Sequence, residues 1–135
     1  MTLAYRLAAL SLAAIVGGGG LAVPAIAAAD GKSLFNDNCS ACHQVTGKGV
    51  KGAFPALAGS PFVQGPPQVV TTTVLNGRAG MPAFKDDLND ADLSAILTYV
   101  RASWGNTGAA IKPADVAKAR VAAKAAAKAR GLQAH

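Results

Sequence analysis

The sequence predicts an all-α fold, and three observations support that prediction. Apolar residues between positions 89 and 104 recur at the three- and four-residue spacing of a helix. Segment 30–39 shows the same spacing over a shorter length. Segment 68–76 is rich in β-branched residues, but the chain offers no second strand for it to pair with. We therefore expect helices packed into one small domain.

The N-terminal segment, residues 1–29, has the pattern of a secretory signal peptide. Arg6 supplies positive charge, an apolar run covers residues 7–16, and residues 25–27 form a small-x-small cleavage signal. Export would place the rest of the chain in the periplasm. The alternative is an uncleaved membrane anchor, because residues 7–29 are long enough to cross a bilayer. Four consecutive glycines inside that segment disfavour a stable membrane helix.

The first predicted helix of the mature chain runs from Asp30 to Cys39. Asp30 is a favourable N-cap residue. Leu34, Phe35 and Cys39 follow at helical spacing, so one face of this helix should turn toward a common site. We expect Phe35 to belong to the core.

The segment Cys39-Ser40-Ala41-Cys42-His43 contains both cysteines of the chain, followed directly by a histidine. This spacing is typical of covalent haem attachment. Two intervening residues place the thiols about one helical turn apart, where both can add to the vinyl groups of one porphyrin. His43 can then bind the iron, because a proximal histidine is a standard haem ligand. One haem c is therefore the predicted cofactor.

Two other interpretations of the cysteine pair remain open at this point. A redox-active dithiol usually accompanies a βαβ pattern, and none is visible in the sequence. A structural zinc site needs four ligands. The mature chain offers only Cys39, Cys42, His43 and the distant His135.

Segment 44–60 is glycine-rich and is predicted to be an irregular loop. Pro55 lies within this loop and offers a carbonyl that can accept a hydrogen bond. A metal-bound histidine normally donates its second ring nitrogen to a carbonyl or a carboxylate. Pro55 is therefore a candidate partner for His43. The alternative is a proline that only stiffens a turn.

Residues 60–67 contain three prolines and are predicted to be a connector. Pro67 suits the first position of a helix. Because segment 68–76 lacks a partner strand and Gly77 suits a helix end, we predict a helix over residues 68–76.

The segment from Gly77 to Phe84 is the second stretch with predicted chemistry. Met81 is the only methionine beyond the initiator, and it lies between a glycine and a proline rather than on a helical apolar stripe. A thioether is a known haem ligand that raises the reduction potential. Met81 is therefore a candidate second axial ligand, and a buried structural methionine is the alternative. Arg78 is a candidate partner for a haem propionate, or else a solvated loop charge.

Asn89 to Trp104 is the clearest predicted helix. Asn89 suits the N-cap, acidic residues follow in the first turn, and Gly105 suits the position after the helix. This helix should close over the first one. The expected contact joins Tyr99 with Gly31 and Phe35.

The remaining segment, residues 107–135, is a basic tail rich in alanine and lysine. The net charge of the chain is +6, and residues 112–135 carry six Lys/Arg against Asp115 alone. Pro113 begins a predicted helix and Gly131 ends it. Because large apolar residues are few, we expect a surface helix or one that frays in solution. No base-reading or stacking motif accompanies the charge, so nucleic acid is not a predicted partner.

Together these segments resemble the class I cytochrome c family over residues 30–106. The resemblance rests on the attachment motif, on Phe54-Pro55-Ala56-Leu57, on residues 77–84 and on the capped helix that reaches Arg101. It implies three to four helices around one covalently bound haem c, with the tail outside the family pattern. It also implies His43 and Met81 as axial ligands and Pro55 as the carbonyl partner of His43.

The resemblance implies a periplasmic one-electron carrier rather than an enzyme, because two protein ligands leave no open position on the iron. Its redox partners would be a dehydrogenase or respiratory donor and a reductase or oxidase. The alternative is a fixed cytochrome c subunit of a larger dehydrogenase or reductase complex, so we expect a monomer or such a subunit. A haem enzyme or gas sensor would need a vacant or labile iron position. Membrane association is expected only if the N-terminal segment is retained.

Overall fold

A computed structural model describes the backbone of residues 30–133 and the side chains of residues 30–129. The predicted signal segment, residues 1–29, lies outside the described residues, as does His135. The described part of the chain is helical and confirms the all-α prediction. Its six helices are α1 (Gly31–Asn38), α2 (Ser40–His43), α3 (Pro61–Gln64), α4 (Pro67–Asn76), α5 (Asp90–Ala102) and α6 (Pro113–Gln133). The two four-residue helices, α2 and α3, were not predicted as separate elements.

Helices α1 and α5 pack directly against each other, as predicted. The side chain of Asp30 caps α1 by accepting a hydrogen bond from the Lys32 amide at 3.1 Å. Phe35 is completely buried, and its ring centroid lies 5.6 Å from that of Tyr99. Trp104 joins these two rings, with its centroid 5.2 Å from that of Phe35. This aromatic cluster fixes the end of α1 that leads into the cysteine pair.

Helix α4 forms where propensity alone favoured a strand, which confirms the helix prediction. Pro67 occupies its first turn, and the hydroxyl of Thr71 donates to the Pro67 carbonyl at 2.7 Å. Val70, Thr71 and Leu75 are buried. Packing of this face therefore outweighs the β preference of the individual residues.

Helix α5 begins as predicted but ends two residues earlier than the predicted Trp104. Asn89 caps it by accepting a hydrogen bond from the Asp92 amide at 2.9 Å. The helix ends at Ala102 because the next residue, Ser103, has an extended backbone, and Trp104 and Gly105 then take left-handed conformations with φ of 53° and 83°. The hydroxyl of Ser103 donates to the Tyr99 carbonyl at 2.6 Å across this last turn.

Arg101 lies in the protein interior. The sequence did not indicate this, because it showed only an arginine in the last turn of a predicted helix. Its side chain is 2% exposed. The guanidinium donates to the carbonyls of Val63, Gly65 and Ala109, with 2.9 Å to Gly65 and 2.7 Å to Ala109. Arg101 thereby joins α3 and the segment that leads to the tail.

Helix α6 packs against α4 and α5. Ile111, Val116 and Ala119 are buried in the hydrophobic core, and the Ile111 amide donates to the Thr98 hydroxyl at 3.0 Å. The first half of the tail is thus part of the packed structure, while residues 124–129 are exposed. The predicted end at Gly131 is wrong, because the helix continues to Gln133. Within residues 30–133, no helix has the length and apolar character needed to span a membrane.

Candidate haem-binding site

The two cysteines lie on one helical turn at the junction of α1 and α2. The amides of Cys42 and His43 both donate to the Cys39 carbonyl, at 3.3 and 3.0 Å. Both thiols are free and partly exposed. A single turn therefore presents two sulfur atoms and the following imidazole, which is the order that attachment of haem c requires.

His43 is buried and its ring is oriented by the loop that follows. Its Nδ1 atom lies 3.0 Å from the carbonyl oxygen of Pro55. A carbonyl can only accept a hydrogen bond, so Nδ1 carries the proton in this contact. The lone pair of a neutral imidazole is then on Nε2, where it is available to a metal.

The loop between His43 and Pro55 is closed by backbone hydrogen bonds. The Gly49 amide donates to the His43 carbonyl at 3.0 Å, and Val50 and Phe54 bond to each other across a tight turn. The amide of Leu57 donates to the Gly47 carbonyl at 2.7 Å. Asn106 ties the same loop to the end of α5, since its Nδ2 atom donates to the Leu57 carbonyl at 3.0 Å. These contacts hold the Pro55 carbonyl beneath the imidazole.

The environment of Cys39 disfavours this thiol as the nucleophile of a redox-active dithiol. Burial, with a further contribution from the neighbouring Cys42, raises the pKa of the Cys39 thiol to about 11. Reactive dithiols instead depend on a lowered thiol pKa, because the thiolate is the nucleophile. Among the described residues, no three His, Cys, Asp or Glu side chains are grouped so that they could hold a metal ion.

Met81 lies in a tight turn that we name the Met81 loop, residues 77–84. The amide of Arg78 donates to the Met81 carbonyl at 3.2 Å, and the Met81 amide donates to the Arg78 carbonyl at 3.0 Å. The amide of Phe84 donates to the Val74 carbonyl at 3.1 Å, which fastens the loop to α4. The thioether is therefore carried by a loop with a defined backbone rather than by a helix face.

Arg78 is exposed, and its guanidinium lies over the ring of Phe62, 5.6 Å from the centroid. The structure thus brings Arg78 together with Met81 and with Phe62 of α3. Phe62 was not predicted as a site residue, because nothing in the spacing of the proline-rich connector distinguishes it.

Three large apolar side chains beside these groups are exposed. Val50, Phe54 and Phe62 are between 39% and 42% exposed, although the domain contains few aromatic residues to fill its core. Exposed apolar surface of this kind commonly marks a ligand site. An apolar macrocycle would cover such surface, and the donor set of two thiols, an imidazole and a thioether suits its attachment and its iron. The residues present therefore fit haem c.

Comparison with known proteins gives the same result. The family described as cytochrome c oxidase, cbb3-type, subunit III matches residues 26–100, which is more than half of the chain. A cytochrome c6 from Leptolyngbya boryana is 38% identical over 75 residues, covering 54% of this chain and 88% of that protein. The gluconate 2-dehydrogenase cytochrome c subunit of Pantoea cypripedii is 34% identical over 104 residues, covering 67% of this chain and 24% of that subunit.

The relatives that are cytochrome c subunits of larger enzymes are much longer than the region that matches this chain. A cbb3-type cytochrome c oxidase subunit from Azospirillum brasilense is 36% identical over 83 residues, which is 56% of this chain and 28% of that subunit. The chain thus matches only one part of each of these larger subunits. With the cysteine turn, the oriented histidine and the family match in agreement, the chain belongs to this family of c-type cytochromes and is an electron-transfer protein with covalently bound haem c.

Proposed function

We propose that the protein is a periplasmic one-electron carrier that uses a single haem c with histidine and methionine as axial ligands. Cys39 and Cys42 would form the two thioether bonds, and His43 and Met81 would hold the iron. When bound, the haem supplies the one-electron couple. The protein would receive an electron from a dehydrogenase or another respiratory donor and pass it to a reductase or oxidase.

The observation that carries this proposal is the hydrogen bond between His43 and Pro55, directly after the two-cysteine turn. Donation from Nδ1 fixes the ring and makes Nε2 a better ligand. Met81 completes the proposal, since its thioether would raise the potential and would occupy the position where oxygen or peroxide could otherwise bind. Arg78 stays a predicted propionate partner, supported by its exposure beside Phe62.

A second candidate function is that of a fixed cytochrome c subunit in a larger complex. It is favoured by the relatives whose names describe subunits of a quinone-dependent alcohol dehydrogenase and of gluconate 2-dehydrogenase. Size-exclusion chromatography of the native periplasmic extract separates the two functions. A free carrier elutes alone at low mass, whereas a fixed subunit elutes with its dehydrogenase. Membrane association would follow only from a retained N-terminal segment, and nucleic acid is not a proposed partner.

The ligand assignment is tested by the optical spectrum of the protein expressed with export and haem attachment. We expect the ferric protein to be low-spin and to show the charge-transfer band of methionine-ligated haem. Met81→Ala should abolish that band, give a high-spin spectrum and open the iron to added cyanide. Intact mass should show one covalently attached haem in both proteins.

Met81→His is the matched control for this experiment. A second imidazole should keep the low-spin state but remove the methionine band and lower the reduction potential. If Met81→Ala keeps both the low-spin spectrum and the potential of the unaltered protein, another group holds the sixth position and the proposed ligand set is wrong.

A further inference from the structure

Arg120 makes the most extensive polar contacts of helix α6 among the described residues, and all of them reach one segment. Its Nε atom donates to the Asp90 carboxylate at 2.6 Å. Its two terminal nitrogens donate to the backbone carbonyls of Lys85 and Leu88. The side chain is only 20% exposed, so these bonds are partly shielded from water.

The three acceptors lie in residues 85–90, which run from the end of the Met81 loop to the first residue of helix α5. Lys85 follows Phe84, the last residue of the loop, and Asp90 is the first residue of α5. Leu88 is buried, and its amide donates to the Phe84 carbonyl at 3.2 Å. We call residues 85–90 the exit segment of the loop. Arg120 therefore spans the whole exit segment with one planar group.

Helix α6 also supports the opposite end of the loop. It packs against α4, and α4 leads directly into the loop at Gly77. Val116 and Ala119 are fully buried where α6 meets the core, so the backbone that carries Arg120 is itself fixed. One helix thus holds the elements on both sides of Met81. That helix lies beyond residue 100, where the match to the cytochrome family ends.

We propose that Arg120 is a positioning residue that limits the departure of Met81 from the haem iron by fastening the exit segment of the Met81 loop to helix α6. This inference rests on the proposed function, in which Met81 is the sixth ligand. The loop must open for Met81 to leave, and opening displaces the Lys85 and Leu88 carbonyls from the guanidinium. A lysine at this position could not replace the bonds, because it lacks the planar fork that reaches several acceptors.

The test uses the full-length ferric protein with haem attached, and imidazole as a competing iron ligand. Imidazole binds only when Met81 has left, so its apparent affinity reports the population of the open loop. Arg120→Gln should raise that affinity about tenfold, since hydrogen bonds from a charged group are lost. The apparent imidazole affinity of Arg120→Lys should be close to that of Arg120→Gln. Lys118→Gln, an equal change of charge at an exposed position on the same helix, should match the unaltered protein.

Amide hydrogen exchange separates loop opening from general loss of stability. In Arg120→Gln, exchange should accelerate at the amides of Met81, Phe84 and Leu88 and stay unchanged at Phe35 of α1 and at Cys39, which follows α1. Equal acceleration in both regions, unchanged imidazole affinity or full rescue by Arg120→Lys would overturn the proposal. If Met81 is not an iron ligand, the spectrum of Met81→Ala shows it. The hydrogen-exchange data would still report whether Arg120 fastens the exit segment.

Discussion

Gly49 allows the Pro55 carbonyl to approach His43. Its backbone is left-handed, with φ of 62°, and its amide bonds to the His43 carbonyl. A Cβ atom at this position would lie 2.6 Å from the Pro55 carbonyl oxygen. Any side chain would therefore press on the group that orients the imidazole. The sequence shows a glycine here among several others, so its special role becomes visible only in the folded loop.

We expect Gly49→Ala to destabilise the protein more than Gly52→Ala does. Gly52 is also left-handed, with φ of 83°, but a Cβ atom there meets nothing within 4 Å. Left-handed backbone costs an alanine about 1–2 kcal/mol, which both variants share. Gly49→Ala should add about 1–3 kcal/mol for the close contact. Denaturant unfolding of both ferric proteins measures the difference, and equal losses would contradict the close-contact argument.

The crossing of α1 and α5 depends on the absence of a side chain at Gly31. A Cβ atom there would collide with the Ala95 carbonyl and would lie 3.1 Å from the Tyr99 Cβ atom. The obstructing group is helix backbone, which cannot move aside as a flexible side chain could. The two helices would have to separate, and the contact between Phe35 and Tyr99 would loosen with them.

Gly31→Ala should therefore destabilise the protein although alanine is the better helix former. Helix propensity favours alanine by about 1 kcal/mol at most, whereas overpacking costs about 1–3 kcal/mol. Ser33→Ala, an exposed position on the same helix, should leave stability unchanged or raise it slightly. Denaturant unfolding measures the free energy of unfolding of both variants. The dependence of that free energy on denaturant concentration should be the same as in the unaltered protein. Stabilisation by Gly31→Ala would show that the helices can part without cost.

Element prediction succeeded where several local signals agreed. Helix α5 has a capping residue, acidic residues in its first turn and an apolar stripe, and its start was predicted to the residue. Helix α4 was predicted against its β propensity because the sequence shows no obvious second strand with which this segment could pair. The predicted ends of α5 and α6 are wrong. Glycine is more frequent just after helix ends than elsewhere, but its presence alone does not fix the residue at which a helix stops. At α5 the backbone becomes extended at Ser103, two residues before Gly105, and at α6 Gly131 stays inside the helix.

At the scale of the molecule, the basic charge of the tail is available to steer acidic redox partners. Lys118, Lys124 and Lys128 are exposed on α6. Changing all three to glutamine should lower the association rate with an acidic redox protein by about tenfold at low salt. The difference should vanish at high ionic strength, where exposed charges are screened. Stopped-flow reduction kinetics over a range of salt concentrations measure this.

The matched control changes the same three lysines to arginine, which keeps the charge and should keep the rate. Truncation of the tail is a poorer experiment, because it also removes the buried Val116 and Ala119 and the contacts of Arg120. Unchanged kinetics in the glutamine variant would mean that the partner docks elsewhere on the surface.

The candidate site was more predictable from sequence than the interactions that support it. Cys39, Cys42 and His43 are adjacent in the chain, and the Pro55 contact followed from the family resemblance. The roles of Arg101 and Arg120 could not be recognised, because all acceptors of Arg101 and two of the three acceptors of Arg120 are backbone carbonyls, which carry no residue signature. Their partners also lie up to 38 positions away along the chain. Only the packing of α5 and α6 brings these groups together.

The buried guanidinium of Arg101 has a practical meaning for anyone who transplants this domain into another protein. A fragment that stops at Asn106, where the family pattern fades, keeps the arginine and discards the Ala109 carbonyl. It would also uncover the surface that Val116 and Ala119 cover. A buried cation that loses a partner is costly, so such a fragment would fold poorly. A portable unit therefore has to extend at least to Arg120.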